Sequence, residues 1–230
     1  MNTAGTARVA LYWAPELDDP LHHAASAWLG RDAETGAALE QPPLPDIHAI
    51  TAEARLYGFH ATLKAPFRPL APWAEVREAA AAMAAGIAPF DLPPLAVAEL
   101  GGFLALREAA PCPPLHALAD TATEALDRFR APPTEAELAR RLAAGLGPSQ
   151  EAMLRRWGYP HVFAEWRFHL TLTRRLTPAE RDLYRPAAEA WVGLAAGRPR
   201  RVGSVCLFTQ AAAGAPFRIA ERLPLGGAGG

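Results

Sequence analysis

A six-residue segment that occurs twice constrains this chain more than any other feature. Phe59-His60-Ala61-Thr62-Leu63-Lys64 and Phe168-His169-Leu170-Thr171-Leu172-Thr173 agree at the Phe, His, Thr and Leu positions and lie 109 residues apart, close to half of the 230-residue chain. Self-similarity at such a distance marks a duplicated structural unit. Each copy alternates apolar and polar residues, the period of a strand with one buried face. Each is followed by a helix with proline in its first turn, Pro72 to Ala85 and Thr177-Pro178 to Ala195. Further strands are expected at Arg8 to Trp13, in a hairpin over Leu95 to Leu106 turning at Gly101-Gly102, at Arg200 to Gln210 and at Pro216 to Leu223. Helices are expected at Leu21 to Leu29, Pro113 to Arg130, Thr134 to Ala144 and Ser149 to Trp157, with a Gly- and Pro-rich loop from Gly30 to Pro45. The expectation is an α+β fold of two lobes related by a pseudo-twofold, one domain over residues 1–225 with a flexible tail at 226–230. Each lobe contributes one copy of the repeated strand to a shared cleft.

Strand alternation sorts the repeated residues. Phe59, Ala61 and Leu63 share one face, leaving His60, Thr62 and Lys64 on the other; Phe168, Leu170 and Leu172 oppose Arg167, His169, Thr171 and Thr173. For one strand alone this describes a half-buried sheet with a solvated polar side. The repetition of His-x-Thr after Phe turns the reading towards chemistry. Imidazole titrates near neutrality, so one histidine can accept a proton from an attacking oxygen while a second gives one to a departing oxygen. Opening or closing a phosphodiester needs those two transfers on opposite sides of phosphorus. Thr62 and Thr171, two residues on, can donate hydrogen bonds to the non-bridging oxygens. Lys64, Arg167 and Arg174 or its neighbour Arg175 can add positive charge, and Tyr57 can close over a sugar or base. This chemistry requires no metal and no cofactor.

Composition removes several other classes. A net charge of −1 lacks the basic excess of a nucleic-acid-coating protein, so RNA is not the expected partner and a small phosphorylated substrate is. Lys64 is the only lysine among 23 basic residues. Cys112 and Cys206 stand 94 residues apart without metal-ligand spacing and read as reduced thiols. His22-His23 has no further ligand at metal spacing, and His48, His116 and His161 read as isolated histidines. No stretch reaches the roughly 18 apolar residues of a membrane span, and the short run from Val9 to Ala14 does not resemble a signal segment. A cytoplasmic location is expected; the oligomeric state is left open.

The motif residues resemble the two-histidine (2H) phosphoesterase superfamily, whose hallmark is a pair of His-x-Thr/Ser motifs. Tyr57 to Phe67 resembles the first motif of a branch associated with phosphonate metabolism, Trp28 to Gly36 its early loop and Gly102 to Leu106 its middle hairpin. The resemblance runs from about Arg8 to Arg222. It implies the bilobal 2H fold, with antiparallel sheets lining the cleft and helices outside, His60 and His169 as the catalytic pair, and Thr62 and Thr171 on phosphate. It also implies hydrolysis of a small cyclic phosphate of a sugar or nucleotide, in a hydrolase of the cyclic phosphodiesterase kind. Thr173 stands where the first copy has Lys64, so the cleft is not symmetric and the acid and base assignments stay open. Two other readings share the motif: a non-catalytic module that binds a nucleotide or RNA end, and an RNA 2′,3′-cyclic phosphodiesterase or ligase.

Overall fold

The computed structural model describes residues 8–143 and 145–226. The chain runs β1 (Arg8–Trp13), α1 (Pro20–Leu29), α2 (Ile47–Ile50), α3 (Ala52–Tyr57), β2 (Ala61–Phe67), α4 (Trp73–Ala85), β3 (Phe90–Leu92), β4 (Leu95–Leu100) and β5 (Phe103–Glu108). It continues through α5 (Pro113–Asp127), α6 (Glu135–Leu142), α7 (Pro148–Trp157), a 3₁₀ turn at Phe163–Glu165, β6 (Leu170–Arg175), α8 (Pro178–Ala196), β7 (Arg200–Val202), β8 (Ser204–Gln210) and β9 (Arg218–Pro224). Helix ends follow local chemistry. Asp19 accepts a hydrogen bond from the Leu21 N–H at the start of α1, and Gly30, at φ 79°, ends it in the left-handed conformation. Thr177 and Glu180 form a reciprocal capping box ahead of Pro178 in α8.

Seven strands form one antiparallel sheet in the order β4-β5-β6-β2-β1-β8-β9, and β3 pairs with β7 separately. Helices α1, α4, α5 and α8 pack their apolar stripes on one face of the large sheet. Trp28, Val76, Leu118 and Val192 there meet Leu11, Trp13, Leu63, Leu106, Leu170 and Leu207 of the strands. At about 1.5–3 kcal/mol per large side chain buried, this layer supplies the main folding free energy. A smaller cluster, Tyr12, Cys206, Phe208 and Phe217 among others, covers part of the opposite face.

The α+β class is as expected. The repeated strands adjoin in the sheet, but β2 and β6 touch through a single bridge, Ala61 opposite Leu170. This seam separates β4-β5-β6 from β2-β1-β8-β9, so each side draws strands from both halves of the sequence. Both paired strands begin later than their apolar pattern suggests, at Ala61 and Leu170, because the histidines stand at the lip of the seam. The short helices α2 and α3 and the strand β3 have no strong sequence signal, and the strand expected from Arg200 to Gln210 divides at Gly203 into β7 and β8. Both cysteines are free and buried. Gly226, assigned to a flexible tail, bonds its N–H to the Ala84 carbonyl; residues 227–230, like Ala144, lie outside the described residues. No described helix is long and apolar enough to cross a membrane.

Candidate active site

The single bridge of the seam organises the site. With Ala61 opposite Leu170 in an antiparallel pair, the same register sets His60 opposite Thr171 and Thr62 opposite His169. All four lie on the face away from the large helices, because Ala61 and Leu170 point into the helix-covered core. Residues so opposed have Cβ atoms about 4.5–5.5 Å apart. A pair of His-x-Thr segments bridged at x therefore yields a compact square of two imidazoles and two hydroxyls.

The two rings are held alike. His60 Nδ1 lies 2.9 Å from the Gly58 carbonyl and His169 Nδ1 lies 2.8 Å from the Arg167 carbonyl, in each case two residues back. A carbonyl only accepts, so each Nδ1 carries the proton and each neutral ring keeps its lone pair on Nε2. His60 Nε2 lies 3.2 Å from the Thr62 hydroxyl, which donates to it. Gly58 makes the first anchor possible. Its φ of 80° and ψ of 171° suit glycine alone, and a Cβ there would come within 2.5 Å of the Ala33 Cβ.

The surroundings of the two rings differ. His60 stacks on Tyr12 at 3.8 Å between centroids, with Phe208 at 5.9 Å and Tyr57 at 6.1 Å. Burial in this aromatic setting pushes its pKa down to about 4, against the opposing pull of the Gly58 carbonyl. His169 has Phe103 at 5.7 Å. Its pKa is also lowered, first by burial and further by His161 and Arg107. The β5–β6 register, Ala105 opposite Thr171 and Leu106 opposite Leu170, carried one residue on puts Arg107 opposite His169.

Two adjoining hollows open on this face. One, of about 420 Å³, is lined by Thr62, Tyr159, His161, Trp166, Arg167 and His169 among others; the second, of about 390 Å³, by Glu53, Thr171, Thr173 and Arg174. Phe103 and Arg175 border both.

The remaining expected residues divide. Tyr57 stacks on Phe217 at 5.1 Å and flanks His60, and Arg167 lines the larger hollow while bonding the Ala164 and Trp166 carbonyls. Lys64 is a correction. Between Thr62 and Lys64 the strand takes two steps while β1 takes one, from Tyr12 to Leu11, and this bulge turns Lys64 to the helix side. There it is 2 % exposed and bonds Asp127 at 2.8 Å and the Thr123 carbonyl at 3.1 Å, so it does not share the face of His60 and Thr62. Thr173 borders the second hollow, but its hydroxyl is committed. It accepts from the Leu104 N–H and donates to the Arg174 carbonyl, beside the irregularity where β5 meets β6. Arg174 borders the same hollow with its guanidinium on Glu180, at 2.8 Å.

Sequence reasoning passed over Tyr12, Arg107 and Tyr159, and read as isolated the His161 that lines the hollow with His169. Only Arg175 carried a signal, as the second member of the basic doublet after the motif. Among the described residues no group of three or more His, Cys, Asp or Glu could hold a metal ion. His22 instead lies 3.6 Å from Asp32, with burial lowering its pKa.

A model of a family described as "Protein of unknown function (DUF1045)" matches residues 62–218. Two curated proteins named ribose 1,5-bisphosphate phosphokinase PhnN are similar in sequence. The one from Janthinobacterium sp. (strain Marseille) is 39 % identical over 96 % of this chain and 51 % of its own length. The one from Laribacter hongkongensis (strain HLHK9) is 37 % identical over 92 % and 50 %. The chain thus spans about half the length of these relatives. Among solved structures, E. coli LigT complexed with NADP+ aligns over 96 % of this chain and 99 % of its own, with 13 % identity and a TM-score of 0.45. A crystal structure described as a phosphoesterase aligns over 96 % and 98 %, with 13 % identity and a TM-score of 0.45.

Proposed function

The chain belongs to the DUF1045 family of proteins of unknown function, and from that premise we propose that it is a metal-independent phosphodiesterase of the two-histidine kind, hydrolysing a small cyclic phosphate. The observation that carries the reading is the seam, where one bridge sets two imidazoles and two threonine hydroxyls on one face. Both rings there hold Nδ1 on a carbonyl and leave Nε2 for proton transfer. A module that only binds has no use for two proton-transfer groups in matched tautomers.

Water attacks phosphorus as His60 Nε2 takes its proton. The endocyclic P–O bond breaks, and His169, protonated at Nε2 once the anionic phosphate is bound, gives its proton to the departing sugar oxygen. The product is a phosphate monoester. His60 is assigned as base because its aromatic packing keeps it neutral. His169 is assigned as acid because it lies at the more open, hollow-lining side. Thr62 and Thr171 donate to the non-bridging oxygens, the Thr62 hydroxyl turning from His60 to do so.

A phosphorylated sugar as substrate is supported by the name of the relatives, whose length includes a region like this chain and which are named for a ribose bisphosphate. The same names support a link to phosphonate metabolism. The test is a panel of cyclic phosphates, sugar and nucleoside, assayed with and without chelator. Turnover insensitive to chelator is expected. His60→Ala and His169→Ala should each lower it by about 10²–10⁴-fold while the fold survives. Full activity in either variant would remove the acid–base assignment.

A further inference from the structure

We propose that the substrate bears a second phosphate, a monoester remote from the reacting phosphodiester, and that Arg107 and Arg175 hold it. The inference rests on the phosphodiesterase reading and names its substrate class. Many arginines elsewhere on the molecule are paired with acids, as Arg77 with Glu221, Arg181 with Glu99 and Arg200 with Asp19, and others bond backbone carbonyls, as Arg141 bonds Gly158 and Arg218 bonds Thr35. The guanidinium groups of Arg107 and Arg175 have no hydrogen-bond or ion-pair partner among the described residues. Arg107 Nε is moreover buried without an acceptor. A buried N–H of a permanent cation is costly to leave unmade, and a bound anion is the natural source of the missing acceptor.

Both groups belong to the His169 side of the cleft. Arg107 is the cross-strand neighbour of His169 on the same face, and Arg175 stands between the two hollows. The equivalent place beside His60 is uncharged: Tyr12 opposes Thr62 and Trp13 opposes Ala61, which sets Ala14 opposite His60. The cross-strand neighbour of His169 is thus a guanidinium where that of His60 carries no charge.

Two further guanidinium groups exceed what the reaction needs. A cyclic phosphodiester carries one negative charge, which a protonated His169 and two hydroxyls already meet. Glu165 and Glu53 border the hollows, but neither forms an ion pair with Arg107 or Arg175 among the described residues. Two unpaired guanidinium groups match a dianionic monoester in charge and in their fork of donors.

The test compares adenosine 2′,3′-cyclic phosphate with its 5′-phosphorylated form, on wild type, Arg107→Gln and Arg175→Gln. In wild type the 5′-phosphorylated compound should have a kcat/KM at least about tenfold higher, the value of one or two charge-assisted contacts. That ratio should fall towards one in each variant. Equal kcat/KM for both compounds in wild type, or an unaltered ratio in both variants, would overturn the proposal. Should neither compound turn over, the reaction proposed above fails, and the ratio of their Kd values by calorimetry decides the phosphate subsite alone. Arg175 is exposed, so its variant keeps the test available if Arg107→Gln does not fold.

Discussion

The packing that holds His60 neutral should make the fold sensitive to acid in a way one substitution removes. The folded-state pKa of His60 is about 4, against 6.5 for a free imidazole. A group with a depressed folded pKa binds its proton more tightly in the unfolded chain. Its contribution is therefore complete above pH 6.5 and drains away as the pH falls to about 4. The gap of about 2.5 units at 1.36 kcal/mol each is about 3 kcal/mol, and partial solvent access to the ring trims this to about 2–3 kcal/mol. The assay is urea unfolding of wild type and His60→Gln at intervals from pH 7.5 to 4. Carboxylates that lose their partners over the same range act equally in both proteins, so the difference between the curves isolates His60. Wild type should lose about 2–3 kcal/mol more than the variant, most of it below pH 6. Parallel curves would refute the claim that desolvation against Tyr12 and Phe208 governs this ring.

The same two histidines set the pH dependence of turnover: kcat/KM should be bell-shaped, rising through a limb near pH 4 and falling through one below 6.5, because burial lowers both rings. A plateau extending to pH 8 would contradict this. Lys64→Met should destabilise the fold by about 2–3 kcal/mol, less than a lone buried pair because Arg130 and Arg156 remain on Asp127, with kcat/KM of the folded protein altered less than threefold. Thermal melts and rates together check it, and a large loss of rate with unchanged stability would return Lys64 to the cleft. Gly58→Ala should cost about 3 kcal/mol through its positive φ and the contact with Ala33, and lower kcat by displacing the carbonyl that orients His60; wild-type melting and rate would refute it.

Much of this was legible in the chain itself. Alternation and capping chemistry are local, so β1, the β4–β5 hairpin, α5 and α8 emerge close to their expected bounds. What failed was face assignment beyond the motif. Lys64 obeys the alternation of an ideal strand in the sequence and departs from it in the sheet, because a bulge is defined by what the neighbouring strand does. Thr173 is likewise drawn into repairing an irregularity that exists only where β5 meets β6. Arg107 was invisible for the converse reason: nothing near it in the chain marks it, and a register 62 residues away in sequence sets it beside His169.

Sequence alone determined that two His-x-Thr strands must exist and that each turns its histidine and threonine away from an apolar face, since side-chain periodicity needs no partner. Tertiary structure decided how the copies meet, which imidazole is wrapped in aromatics and which has an arginine across from it. Those are properties of the space between strands, and a linear pattern carries no information about what stands across that space.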